Sequence, residues 1–186
     1  MSVIYLIVMF ALMTACNDNA APDAPSMIDF YAYLAPKLDS TLVYNGNTDP
    51  CVSYEGTRTA IERVNYPIIP GGNYRPWFFN LTKSNHAFLA EKPLLFGPDL
   101  SLQEGGAQYG GSVVDYEHNL SFITVHGSGH MVPQFRPQAA LRLLDNVLQG
   151  RRFAPVLPSD EQLSAMSDKE FNTFLDTWVN VARKLD

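Results

Sequence analysis

Leu120-Ser-Phe-Ile-Thr-Val-His-Gly-Ser-Gly-His-Met-Val-Pro133 is a β-rich apolar run that stops at a glycine-rich loop holding one histidine, His130. The alternation and β-branched content predict a strand over Ser121 to Val125, and Gly127 to His130 forces a break. A helix is expected from about Pro137 to Gln149. Proline suits its first position and Gly150 its stop, and its expected core stripe is Ala140, Leu141, Leu144, Val147 and Leu148. Upstream lies another predicted strand, Ser112 to Tyr116, with a turn at Glu117 to Asn119 between the two. The same order occurs earlier in the chain. Thr41 to Tyr44 reads as a buried strand and Asn45 to Pro50 as a turn-rich break holding Asp49. A helix follows with Tyr54, Thr57, Ile61 and Val64 on one face and Pro67 after its end. Strand, polar loop and helix in repetition indicate an α/β fold, in which catalytic side chains gather at the carboxyl ends of strands.

Working outward, Met27 to Leu38 shows helical spacing at Ile28, Tyr31, Leu34 and Leu38, and Pro36 ends it early. Asn17 to Ser26 reads as a loop. Pro70 to Gly106 is dense in Gly, Pro and Asn and carries Tyr74, Trp77, Phe78, Phe79, Phe88 and Phe96. It reads as an irregular insertion packed locally through its rings. After a Pro-bounded linker (Pro155 to Pro158), Ser167 and Glu170 form a capping box. Behind it runs the apolar stripe Phe171, Phe174, Leu175, Trp178 and Leu185, which must dock on something. The division that results is an N-terminal apolar segment and loop over 1–26, a central α/β portion over 27–150, and a linker with an extra helix over 151–186.

The bulk numbers exclude several classes. The 186 residues carry a net charge of −6, and Arg151–Arg152 and Arg183–Lys184 are isolated basic pairs, so no nucleic-acid partner is expected. The apolar run Val3 to Met13 is shorter than the roughly 20 residues that span a bilayer, so a membrane location is not expected. Its length suits the core of a signal peptide, but no Lys or Arg precedes Lys37. Either it is such a leader, or it is the interior of a longer chain and Met1 is not the true start. Leu12-Met-Thr-Ala-Cys16 is a poor lipoprotein box. Two cysteines, Cys16 and Cys51, make no zinc site; they pair with each other or with partners elsewhere. The sequons at Asn80 and Asn119 fit a secreted glycoprotein. His126 and His130 are four apart, as in helical metal pairs, but two glycines between them argue against a helix and no carboxylate is close in sequence, so no metal is expected. His86 and His118 read as surface residues.

An acid followed in sequence by a histidine, each in a post-strand loop, matches the order in which α/β-hydrolases place the last two members of a Ser, Asp and His triad. The blocks Tyr44-Asn-Gly-Asn-Thr-Asp49 with Gly56-Thr57, Gly110-Gly-Ser-Val-Val-Asp-Tyr116, Leu120-Ser-Phe-Ile-Thr-Val125 and Gly127-Ser-Gly-His-Met-Val-Pro133 resemble the C-terminal motifs of serine carboxypeptidases. The resemblance covers roughly Met27 to Gly150. It implies a partial α/β-hydrolase sheet with flanking helices and with the nucleophile half missing. Asp49 would be the triad acid, His130 the base, Met131 the leaving-residue side of the pocket and Cys51 a second pocket residue. Asn47 stands where many relatives have another aspartate. The implied substrate is a peptide, the implied location the secretory pathway (vacuolar, lysosomal or extracellular), and no cofactor is implied.

The departures are as informative. The family's serine lies in G-E-S-Y-A-G, upstream of the acid, and no G-x-S-x-G occurs in these 186 residues. Ser128 lies in the histidine loop itself and cannot serve its own base in that geometry. The segment between the two blocks is longer than expected, and the tail after Gly150 is extra. Two readings follow: part of a serine carboxypeptidase completed by upstream sequence or by a separate serine-bearing chain, or an inactive truncated paralogue acting as a binding partner. An esterase of the same fold fits the histidine block less well. With strands missing, the sheet should have an open edge and its helices an uncovered apolar face.

Overall fold

The computed structural model describes residues 5–8, 26–81 and 106–183. The elements are β1 (Tyr5–Val8), α1 (Met27–Leu34) continued by a 3₁₀ turn at Ala35–Lys37, β2 (Ser40–Gly46), α2 (Tyr54–Glu62), β3 (Arg75–Leu81), β4 (Gly106–Asp115), β5 (Leu120–Val125), α3 (Val132–Phe135), α4 (Pro137–Leu148), α5 (Asp160–Ala165) and α6 (Asp168–Arg183). Cys16, His86, Phe88, Phe96, Leu185 and most of the Val3 to Met13 run lie outside the described residues. No described helix is long and apolar enough to cross a membrane.

Five strands form one mixed sheet in the order β1-β2-β5-β4-β3. β1, β2 and β5 run parallel, and β5-β4-β3 is antiparallel. In β2, Thr41 and Val43 point to one face and Leu42 to the other, and all three are buried. A strand buried on both sides needs helices on both sides. On one face Val43, Val114, Leu120 and Phe122 pack with Tyr31 of α1 and Ile61 of α2. On the other, Leu42, Val113, Ile123 and Val125 pack with Ala139, Leu143 and Val147 of α4 and Trp178 of α6. The apolar tail helix therefore docks on the sheet.

Two expectations are corrected. Residues 75–81 are not a locally packed insertion but the edge strand β3, and Trp77 and Phe79 belong to the main core. The alternation of buried Arg75, Trp77 and Phe79 with more exposed Pro76, Phe78 and Asn80 is the two-residue period of a strand. Gly and Pro density nearby obscured it, and Pro76 is tolerated because β3 is an edge. The Gly110-Gly111 pair makes the pairing possible. A Cβ on Gly110 would lie 2.5 Å from the Trp77 ring, and one on Gly111 (φ 139°) 1.9 Å from the Thr124 carbonyl oxygen. The Trp77 indole N–H donates to that same oxygen at 3.0 Å.

The second correction concerns α4. It buries Ala139, Leu143, Asn146 and Val147, whereas Leu141 and Leu148 are 63% and 55% exposed. The helix is apolar on two neighbouring flanks, and the sheet takes only one. Leu141, Leu144 and Ala140 instead line an apolar groove of about 470 Å³ with Leu42, Tyr44, Pro133 and Pro137. Arg75, buried in β3, pairs with Asp115 and also donates to the carbonyls of Gly72 and Pro155, at 3.0 and 2.6 Å. This tethers the segment after α4 to the sheet.

Candidate functional site

β2 and β5 are adjacent, parallel and level: Gly46 and Val125, their last residues, are register partners. The loops that follow therefore leave the sheet at the same rim, and three features lock them together. Asn47 N–H donates to the Val125 carbonyl at 3.0 Å and Thr48 N–H to the Ser128 carbonyl at 3.0 Å. Gly46 lies directly under the histidine loop, where a Cβ would sit 2.1 Å from the Ser128 oxygen and 2.3 Å from the Gly129 oxygen. Finally, the Asn47 side-chain oxygen accepts from Gly127 N–H at 2.8 Å, with its amide nitrogen 3.2 Å from His126 Nδ1.

This stitching brings Asp49 and His130, 81 residues apart, to 3.0 Å between Oδ2 and Nδ1. The Asp49 side chain is only 2% exposed, the His130 side chain 44%. The other carboxylate oxygen, Oδ1, accepts from the amides of Cys51 and Val52 at 2.9 and 3.0 Å, so the turn into α2 fixes the carboxylate plane. Burial is the largest single influence on Asp49 and would raise its pKa. The Val52 and Cys51 amides and His130 together outweigh it, and the group lies below its ordinary value. An ionised carboxylate can only accept, so Nδ1 of His130 carries a proton, and in the neutral imidazole Nε2 holds the lone pair. Among the described residues nothing hydrogen-bonds Nε2. The arrangement is a buried, fixed anion orienting a half-exposed imidazole that presents a basic nitrogen outward. Chemically, it can accept a proton from a hydroxyl and return it to a leaving group.

The other expected residues are placed as follows. Met131, next to His130, is 49% exposed. Cys51 is half-buried and held in a disulfide; the sequence has one other cysteine, Cys16. Ser128 is fully buried and its hydroxyl donates to the Gly129 carbonyl at 3.1 Å. Asn80 lies in β3, and Asn119 is exposed at the β4–β5 turn with φ 58°. His118, exposed in the same turn, packs its ring on Tyr66 at 4.5 Å. His126 and His130 do not converge: one faces Asn47, the other Asp49. Sequence reasoning missed the aromatic wall beside the site, where the Tyr109 ring stands 5.1 Å from His126 and 6.1 Å from Phe78. The available signal was Tyr109 immediately before the Gly110-Gly111 pair that sets the β4–β5 approach.

Residues 12–150 match a family model described as serine carboxypeptidase. Among curated proteins, the chain is 28% identical over 130 residues to serine carboxypeptidase-like 20 of Arabidopsis thaliana, covering 70% of this chain and 20% of that protein. It is 26% identical over 139 residues to serine carboxypeptidase 1 of Hordeum vulgare, covering 74% and 22%. It is also 30% identical over 142 residues to serine carboxypeptidase-like 38 of Arabidopsis thaliana, covering 73% and 23%. The chain thus spans about a fifth to a quarter of the length of these relatives.

Proposed function

Because the chain belongs to the serine carboxypeptidase family, we propose that it supplies the acid and the base of a serine-type carboxypeptidase, with Asp49 as acid and His130 as base. The nucleophile is a serine outside these 186 residues, on preceding sequence or on a separate chain. His130 Nε2 takes the serine hydroxyl proton as the serine oxygen attacks the carbonyl of the last peptide bond. Asp49 holds the tautomer and stabilises the imidazolium. Return of that proton to the leaving amine releases the C-terminal residue and leaves an acyl-enzyme, which water hydrolyses by the same route. Met131, exposed beside the base, borders the leaving residue, and Cys51 flanks the acid. The disulfide at Cys51 and the sequons at Asn80 and Asn119 support a route through the secretory pathway.

The observation that carries this reading is the 3.0 Å contact between a buried carboxylate and a half-exposed histidine at one sheet rim. The test has two arms. The isolated chain is treated with a serine-directed phosphonate, and no label is expected; a labelled serine in this chain refutes the placement of the nucleophile. In protein that includes the serine-bearing segment, Asp49→Asn is expected to lower kcat by about 10⁴-fold, the scale of tautomer loss in other triads. Unchanged turnover removes Asp49 from the mechanism. A second reading, an inactive truncated paralogue that binds partners, accounts equally for a sequence without G-x-S-x-G. That reading is supported if no serine-bearing polypeptide gives turnover with this chain.

A further inference from the structure

Asn47 and His126 lie beside the Asp49–His130 pair and take no part in it. Their hydrogen bonds nevertheless fix a protonation pattern. Gly127 N–H is a backbone amide and can only donate, and it meets Asn47 Oδ1 at 2.8 Å. The amide orientation of Asn47 follows, and its NH₂ group faces His126 Nδ1 at 3.2 Å. An NH₂ group also only donates, so Nδ1 of His126 must be the bare acceptor and its proton must sit on Nε2. Four residues on, His130 faces a carboxylate through Nδ1 and carries its proton there.

We propose that Asn47 and His126 are positioning residues, a neutral clamp closed across the two loops that sets Asp49 against His130 and holds the two histidines in opposite tautomers. Three observations carry this. Asn47 is bound at both ends, its backbone N–H to the Val125 carbonyl at 3.0 Å and its side chain to Gly127 and His126, so it ties the acid loop to both sides of the histidine loop's first turn. Asn47 stands two residues before the acid and His126 four before the base, so slack there passes directly to the pair. From β4, the Tyr109 ring backs His126 at 5.1 Å, and the Tyr109 hydroxyl is itself held by Ser112 at 3.1 Å, which limits where the imidazole can turn. The clamp matters for catalysis only if Asp49 and His130 are the acid and base proposed above, but its test needs neither serine nor substrate.

The experiment is long-range ¹⁵N–¹H correlation of the imidazoles in the whole chain at mildly alkaline pH. His126 is expected as the Nε2–H tautomer and His130 as Nδ1–H. In Asn47→Ala, His126 should relax to the tautomer mixture of a free imidazole. Exchange of the His130 Nδ1 proton with water should then quicken about fivefold, the scale of one net hydrogen bond. Asn47→Asp replaces the donor with an acceptor, so His126 should switch to Nδ1–H, a reversal that a merely space-filling residue would not produce. His126→Gln offers a carbonyl to the Asn47 amide and should keep His130 exchange slow. The indole proton of Trp77, buried against Thr124, reports on folding. If Asn47→Ala disturbs that signal, the Asp and Gln variants decide. A wild-type His126 found as Nδ1–H or as a mixture, an unmoved tautomer in Asn47→Asp, or His130 exchange unchanged in Asn47→Ala overturns the clamp. A failed activity assay in the presence of a serine leaves these spectra untouched and counts only against the peptidase reading.

Discussion

Gly46→Ala probes whether the two loops are held by close backbone approach. The added Cβ would stand 2.1 Å from the Ser128 oxygen, whereas ordinary contacts begin near 3.4 Å, so the histidine loop must retreat by about 1.3 Å. The obstructing atoms are backbone, and no rotamer change relieves them. A retreat of that size takes the 3.0 Å Asp49–His130 contact beyond hydrogen-bond range. Overpacking of this kind costs about 1–3 kcal/mol, and loss of a bond to a charged group adds about 1.5–3 kcal/mol. With partial relaxation, a net destabilisation of about 3 kcal/mol is expected, or a Tm lower by roughly 6–12 °C for a chain of this size. Urea titration followed by the fluorescence of Trp77 and Trp178 measures the first, and a thermal melt the second. Gly56→Ala is the control: it lies in α2 with open space around its Cα, and should stabilise by about 0.4–1 kcal/mol. A Gly46→Ala protein within 0.5 kcal/mol of wild type, by the same titration, would show that close approach does not hold the loops.

Other outcomes follow from the same geometry. Leu143→Ala should cost about 2–5 kcal/mol by urea titration, while Leu141→Ala, on the exposed flank of α4, should stay within about 0.5 kcal/mol. The reverse order would restore the stripe expected from periodicity. Arg75→Met leaves the Asp115 carboxylate buried without its cation and should cost about 3–5 kcal/mol in the same assay; a neutral result refutes the tether. The folded pKa of Asp49 lies below its unfolded value, so its contribution is present above about pH 4 and is lost as pH falls through the folded value. The stability gap between wild type and Asp49→Asn should therefore shrink on acidification below that point. A gap independent of pH would mean that the carboxylate is not specifically stabilised in the fold.

Local chemistry made much of this protein legible. Pro137 and Gly150 bracket α4, Ser167 and Glu170 cap α6 reciprocally, and Pro36 turns α1 into a 3₁₀ end, because caps, prolines and glycines act within a few residues of themselves. The strand–loop–helix order placed Asp49 and His130 in post-strand loops for the same reason. β3 was not legible. Its alternation spans only seven residues amid turn formers, and what makes it a strand is an edge of β4 whose paired residues lie 25 to 38 positions further along the chain.

The sequence by itself determined which residues stand in the two loops and where the surrounding helices start and stop, since those signals are short-range. Only the tertiary structure decided which flank of α4 meets the sheet and that Trp77 and Phe79 join the main core. It also decided that β2 and β5 end level, so that a carboxylate and an imidazole 81 positions apart come within 3.0 Å. The physical reason is that periodicity specifies an apolar face but not its partner. Pairing register and burial belong to the whole chain, because they depend on which other surfaces compete for the same contact.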